Sequence, residues 1–260
     1  MPYDLDIGVI YTHERELMPR LLATMSASGE GLRMRLLLVD NDSPRGVDVW
    51  REIVRDTRVI RNNRRLSYAA NLNRILDAST ARYVLLMNTD MYFDPAEQCL
   101  ARMVEFMDGR PRCGLSGCRI LHADGTNARS ARRFQTLPLI IARRCGLARL
   151  MRRTIDHHFY AERAPDDTFE CDWLSGCFLL VRREAIEQVG RLDEGYGKYF
   201  EDVDLCLRMA RAGWQVCYHG AVSCYHLERR ASRNPFSPDA WIHLRAYIRW
   251  LRRWGLSPTT

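Results

Sequence analysis

No run of 18 or more apolar residues occurs in these 260 residues, so no segment is expected to cross a bilayer as a helix. The opening Met1-Pro-Tyr-Asp-Leu-Asp6 lacks the basic start and apolar centre of a signal peptide, and the expected location is cytoplasmic. Regular cysteine spacing is also missing. Nine cysteines are an odd count; four residues separate Cys113 from Cys118 and six separate Cys217 from Cys224, which suits neither a disulfide framework nor a two-knuckle zinc site. Cys99, Cys206 and Cys224 read as small buried apolar residues. Internal repeats and low-complexity segments are absent. Lysine is scarce: of 39 basic residues only Lys198 is a lysine.

What remains is an arginine-rich chain with a net charge of +7 and 47% hydrophobic residues, enough for one large α/β domain or two small ones. Arginine suits bidentate phosphate binding. Eight arginines and no acid fall within residues 129–153, and Arg245, Arg249, Arg252 and Arg253 form a second cluster. Such charge fits nucleic acid, an anionic membrane or a phosphate-bearing substrate.

Apolar runs over Asp6–Tyr11, Arg35–Val39, Arg58–Ile60 and Tyr83–Met87 predict four strands. Helical periodicity over Glu14–Met25, Val47–Arg55, Ser67–Ala78 and Ala96–Met107 predicts helices between and after them. This alternation implies βαβ units and a mainly parallel sheet, whose ligands bind beyond the carboxyl ends of the strands. Short strands with a turn at Asp124-Gly125 are expected in 113–133. A basic insertion with a helix over Leu139–Met151 is expected in 134–170. A strand over Val216–Tyr218, a turn and a second short apolar segment follow, and a basic helix over Asp239–Trp254 closes the chain.

Three polar clusters end apolar segments: Asp40-Asn41-Asp42-Ser43, Asn88-Thr89-Asp90, and Glu201-Asp202 at the mouth of a helix. Each has two readings. Asn and Asp make turns and caps, and acids favour a helix N-terminus. Oxygen ligands two residues apart after a buried strand also suit a divalent cation that bridges two phosphates. A carboxylate such as Asp202 suits a general base for a hydroxyl. His226, after Ser223-Cys-Tyr225, reads either as a surface histidine or as a metal or phosphate contact.

Taken in order, Val9-Ile-Tyr-Thr-His13, Leu38-Val-Asp-Asn-Asp-Ser43, Ser67-Tyr-Ala-Ala-Asn-Leu-Asn73, Met87-Asn-Thr-Asp90, Gly176-Cys-Phe-Leu-Leu-Val-Arg-Arg183, Phe200-Glu-Asp-Val-Asp-Leu205 and Tyr225-His226 resemble the family 2 glycosyltransferases. The closer likeness is to a bacterial rhamnosyltransferase-like branch, and it covers about residues 5–107 and 171–232. It implies a GT-A fold in a single domain. Residues 1–110 would bind the nucleotide sugar, 111–232 would carry the acceptor and catalytic side, and 233–260 would form a helical tail.

The resemblance also assigns roles. Asp40 and Asn41 would contact the base, with Thr12, Asn71, Asn88 and Asp90 completing the donor site. Asp90 would ligate Mg²⁺ or Mn²⁺, and His226 would help hold that metal or the diphosphate. Asp202 would be the catalytic base, and Trp173, Gly176 and Glu201 would face the acceptor. The implied donor is a dTDP- or UDP-sugar, with rhamnose favoured, and the implied acceptor is a glycan or lipid-linked glycan. Two departures stand out: Ser67 replaces a glycine frequent in relatives, and Asn88 replaces a frequent aspartate, leaving fewer charged ligands for a metal.

Rival readings are a non-catalytic nucleic-acid- or membrane-binding protein, favoured by the charge alone, and a transferase that binds donor without turnover. The ordered carboxylates argue for the enzyme, so no nucleic-acid partner is expected. In the tail, Trp241, Leu244, Tyr247, Ile248 and Leu251 recur at helical spacing with arginines between them. They predict a stripe that docks either on an anionic membrane or on the domain itself. Oligomeric state is not readable from the chain.

Overall fold

The computed structural model describes residues 3–51, 53–54, 56–144, 146–227, 238–256 and 258, with the side chains of 141, 143 and 144 left aside. Residues 233–237, 257, 259 and 260 of the expected tail, and positions 52 and 55 of the expected second helix, lie outside the described residues.

The first half builds largely as its patterning dictates, but the helix expected over Val47–Arg55 is a single turn, Asp48–Arg51, with 53 and 54 outside it. Strand β1 (Leu5–Tyr11) leads to α1 (Met18–Ser28), β2 (Met34–Asp40), α2 (Asp48–Arg51), β3 (Thr57–Arg61), α3 (Tyr68–Ala78) and β4 (Tyr83–Met87). Strands β3, β2, β1 and β4 are neighbours in that order and all parallel. Alternate residues face opposite layers: Leu36 and Leu38 join one core, Leu37 and Val39 the other. Every residue of β4 is buried, as a strand covered on both faces requires. Helix α1 starts four residues later than expected, with Pro19 in its first turn, where a missing N–H costs nothing. Ser67 caps α3 instead of opening it; its hydroxyl accepts from the Ala70 N–H at 3.3 Å.

The second half is mixed. After β5 (Met91–Tyr92) and α4 (Cys99–Asp108) come β6 (Cys113–Leu121), β7 (Ala131–Arg132), α5 (Leu137–Arg144), α6 (Arg152–His158), β8 (Thr168–Glu170), β9 (Trp173–Leu174), β10 (Phe178–Arg182) and α7 (Arg183–Val189). Helix α8 (Glu201–Arg211), β11 (Gln215–His226) and α9 (Pro238–Trp254) complete the chain. Strand β10 inserts antiparallel between β4 and β6, and β11 runs parallel to β6 on its other side. Among the described residues these strands form one nine-stranded sheet, and β7 pairs with β9 apart from it.

Two expectations change. The single helix over 139–151 is two, α5 and α6, with Gly146 at φ +69° between them. The two short segments around Val216–Tyr218 and His226 are one twelve-residue strand with a register shift between His219 and Ser223. There a Cβ on Gly220 would lie 2.3 Å from the Pro165 carbonyl, so only glycine lets that loop cross the strand.

Candidate functional site

Thr12 follows β1, Asp40 ends β2 and Asn88 follows β4, so the topology aligns them along the carboxyl edge of neighbouring parallel strands. Because β10 is antiparallel, its start meets the same edge: Phe178 pairs with Met87, and the Asn88 N–H donates to the Cys177 carbonyl at 3.2 Å. Gly176 is thereby placed beside Asn88.

A continuous set of hydrogen bonds joins the two halves at this point. The Tyr68 hydroxyl donates to Asn88 Oδ1 at 2.8 Å and lies 3.4 Å from the Gly176 carbonyl. The Gly176 N–H donates to Asp202 Oδ2 at 2.8 Å, and the Val203 N–H donates to Asp202 Oδ1 at 2.9 Å. A Cβ on Gly176 would sit 3.0 Å from that Oδ2, so the absent side chain is what lets the carboxylate approach. The turn delivering Asp202 is strained: Tyr199 and Phe200 are both left-handed, at φ 71° and 67°.

Burial raises the pKa of Asp202, opposed by the Gly176 and Val203 donors and by the Arg132 charge. Its neighbour Glu201 is 4% exposed, and its Oε2 has no hydrogen-bond partner among the described residues. Burial, then the Asp202 charge, pushes Glu201 up to about 8.

On the other side of Asn88, Asp90 Oδ1 lies 3.0 Å from His226 Nε2, both side chains half-buried. Among the described residues no three His, Cys, Asp or Glu side chains gather as a metal cage. An adjacent carboxylate oxygen and imidazole nitrogen still fit a divalent cation whose remaining ligands are phosphate oxygens and water. Asn88 adds no charge there, and its Oδ1 is engaged by Tyr68.

The expected donor-side residues separate into two kinds. Asn41 and Asn71 are buried amides turned inward. Asn41 Oδ1 accepts from the Leu66 N–H at 2.8 Å and from Asn62 Nδ2 at 3.0 Å, and its Nδ2 donates to the Leu66 carbonyl. Asn71 Oδ1 accepts from Asn62 Nδ2 at 2.7 Å, and its Nδ2 donates to the Ser67 carbonyl at 2.9 Å. This network ties the segment before α3 to the end of β2. Asp40 is buried with one oxygen accepting from the Ser43 N–H, and Thr12 is half-buried at the edge.

Trp173 is buried on β9; its Nε1 donates to the Arg133 carbonyl, and the Arg132 guanidinium sits 4.8 Å from its ring centroid. Trp173 is thus a platform for Arg132, whose charge works against the burial-driven rise of the Asp202 pKa. Sequence reading passed over Tyr68, Asn62 and Arg132. Only Tyr68, just after the cap at Ser67, carried a local signal of its place.

Residues 10–257 match a family model described as "Glycosyltransferase like family 2". The chain is 30% identical over 249 residues to an N-acetylglucosaminyl-diphospho-decaprenol L-rhamnosyltransferase of Mycobacterium tuberculosis, covering 89% of this chain and 78% of that protein. It is 39% identical over 82 residues to the rhamnosyltransferase WbbL of Escherichia coli, covering 32% of this chain and 31% of that one. Among solved structures it resembles the mannosyltransferase PcManGT of Pyrobaculum calidifontis in complex with GDP-Man and Mn²⁺. That match has a TM-score of 0.61 at 17% identity, over 98% of this chain and 72% of that one. It also resembles GalNAc-T7 with UDP, GalNAc and Mn²⁺, with a TM-score of 0.67 at 11% identity, over 97% and 49% of the two chains.

Proposed function

Since this chain belongs to the family 2 glycosyltransferases and has the GT-A fold, we propose that it is an inverting rhamnosyltransferase working in the cytoplasm. It takes rhamnose from a dTDP- or UDP-linked donor and places it on a hydroxyl of a glycan or lipid-linked glycan. The choice of rhamnose and of a lipid-linked acceptor is supported by the names of the relatives. The choice of compartment is supported by the eight cysteines among the described residues, which are free thiols and buried.

The observation that carries the reading is the bonded path Asp202–Gly176–Tyr68–Asn88, with Asp90 and His226 at its far end. On this reading a base stands at one end of a strand edge and a cation-binding pair at the other. In the proposed reaction Asp202 takes the proton of the acceptor hydroxyl as its oxygen attacks the anomeric carbon. The bond from that carbon to the diphosphate oxygen breaks with inversion, and its electron pair leaves with the diphosphate. Asp90 and His226 would hold a divalent cation, whose chemistry is to neutralise the departing diphosphate. Residues 1–110 bind the donor, with Asp40 and Thr12 reaching the nucleoside. Residues 111–232 present the base and, through Arg132, a cation to the acceptor side.

Transfer from dTDP-rhamnose and UDP-sugars to a short polyprenyl-diphospho-sugar, with the product anomer read by NMR, tests the proposal. A retained anomeric configuration, or no transfer from any of these donors, overturns it. The metal assignment has a separate readout. Asp90→Ala should reduce thermal stabilisation by dTDP far more with Mg²⁺ or Mn²⁺ present than without. Equal losses in both conditions would remove Asp90 from the metal site.

A further inference from the structure

Helix α9 uses one face on its own domain. Ala246 and Trp250 are fully buried, and the Trp250 ring lies 5.9 Å from both Phe134 and Phe200. The Trp254 Nε1 donates to Asp204 Oδ1 at 2.8 Å, and Asp239 accepts from Lys198 and Tyr199. This is not the stripe that spacing predicted. Tyr247 and Leu251 are partly buried against the domain, whereas Trp241 (61% exposed), Leu244 and Ile248 are turned away from it, as is Ile242.

The outward face mixes these apolar residues with charge. At 100° per residue, Arg245 and Arg252 fall between Trp241, Leu244 and Ile248 on one side and Ile242 on the other. Arg249 and Arg253 are neutralised by Asp193, but Arg245 and Arg252 meet no carboxylate among the described residues. They line an open groove of about 880 Å³ beside Tyr196. A second apolar and basic surface lies on the adjoining insertion, though there Arg152 pairs with Asp156. There Leu150 is 83% exposed beside exposed Arg149, Arg152 and Arg153. Phe134 on Trp250, and Pro258 in a crevice with Leu139 and Thr154, join the insertion to the tail.

We propose that the outward face of α9 docks on an anionic phospholipid surface and lies in its plane. Trp241, Ile242, Leu244 and Ile248 would enter the headgroup boundary, while Arg245 and Arg252 meet lipid phosphates. The helix is neither long nor apolar enough to cross a membrane. An interfacial helix needs this combination, an exposed apolar side and cations with no internal partner. Docking would also have a consequence for the site, which rests on the transferase reading. Phe200, packed on the buried face of α9, immediately precedes Glu201 and Asp202. Docking would therefore hold the turn that carries the base about 10 Å from the bilayer, one helix diameter away, within reach of a lipid-linked glycan.

Deleting α9 is a poor test, since Trp250 is core. Exposed double substitutions in the full chain serve better. At low salt the protein should sediment with phosphatidylglycerol-containing vesicles at least tenfold more strongly than with pure phosphatidylcholine. Arg245→Gln with Arg252→Gln should weaken that binding about 25-fold, roughly fivefold per arginine, and flatten its salt dependence. Trp241→Ser with Ile248→Ser should weaken it about tenfold or more, with the thermal midpoint unchanged. Equal sedimentation with both vesicle types, or double variants that bind like the parent, overturns the proposal. Self-association without vesicles that the same substitutions abolish also overturns it, because a second copy would then cover the face. Neither donor nor acceptor enters the assay, so its failure leaves the transferase reading standing.

Discussion

Asp6 and Glu201 are both buried carboxylates, and they are treated in opposite ways. Asp6 lies near the start of β1, at the amino edge of the parallel strands. It accepts from Arg35 Nε and Nη2 at 2.8 Å each, from the Ser79 hydroxyl at 2.7 Å and from the Thr80 and Ala81 N–H groups. Burial disfavours its charge, but these donors outweigh burial and hold its pKa below the ordinary value. Glu201 and Asp202 meet the carboxyl edge. Among the described residues Glu201 Oε2 has no partner and Asp202 has two backbone donors, and both pKa values are raised. A saturated carboxylate locks strands together; one left short of donors keeps an affinity for protons that chemistry can use. The strained pair Tyr199–Phe200 belongs to the second pattern, since the packing of α9 on Phe200 holds a turn that the local sequence disfavours.

The largest effect should come from Asp202→Asn. It removes the proton acceptor and keeps the shape, so turnover should fall about 10²–10⁴-fold with folding and donor binding nearly intact. Activity within a few-fold of the parent would reduce Asp202 to a charge at a helix start. Asp6→Asn should do the reverse. Breaking a buried, fully bonded pair and leaving Arg35 alone should cost about 3–5 kcal/mol in urea unfolding, while turnover per folded molecule stays within about twofold. Comparable losses in both quantities for either variant would erase the distinction between the two edges. Gly176→Ala comes next. Its methyl would press on the Asp202 carboxylate, so kcat should fall about tenfold, roughly 1.4 kcal/mol of activation free energy, with little change in unfolding.

How far the chain could be read in advance follows from the range of the forces involved. Strand β4 was legible to the residue because its apolar run is bounded on both sides and fully buried. The start of α8 was legible from the acids that suit its N-terminus. The place of Asp40 and Asp90 by the carboxyl ends of β2 and β4 followed from order and topology. Contacts between distant segments did not. Nothing in the periodicity of Asn41 and Asn71 says that Asn62 donates to both amide oxygens. Nothing around Arg132 says that Trp173, 41 positions on, supports it. The tail shows the same limit: helical spacing gave an apolar stripe, but shape fit against Phe134 and Phe200 chose Trp250 and left Trp241 outside.

The smallest effect expected is also the sharpest measure of the comparison, because its sign depends on pH. Folding raises Glu201 from an ordinary 4.5 to about 8. Between those values the folded chain keeps a proton that the unfolded chain has released. The stability this site supplies is therefore complete below about pH 4.5 and is lost as pH rises toward 8. Glu201→Gln stays neutral throughout while keeping the size of the side chain. Its thermal midpoint should match the parent near pH 5 and exceed it progressively up to pH 8, by at least the roughly 2–4 °C that one kcal/mol represents in a domain of this size. The acid limb of kcat/KM should stay in place, because Asp202 retains its Gly176 and Val203 donors. For Asp6→Asn the pH trend runs the other way. The lowered pKa of Asp6 means its contribution is present above the ordinary carboxylate value and lost as pH falls, so the deficit of that variant should shrink in acid. A midpoint difference for Glu201→Gln that stays constant from pH 5 to 8 would mean that Glu201 is ionised in the folded chain. The two carboxylates would then belong to one class.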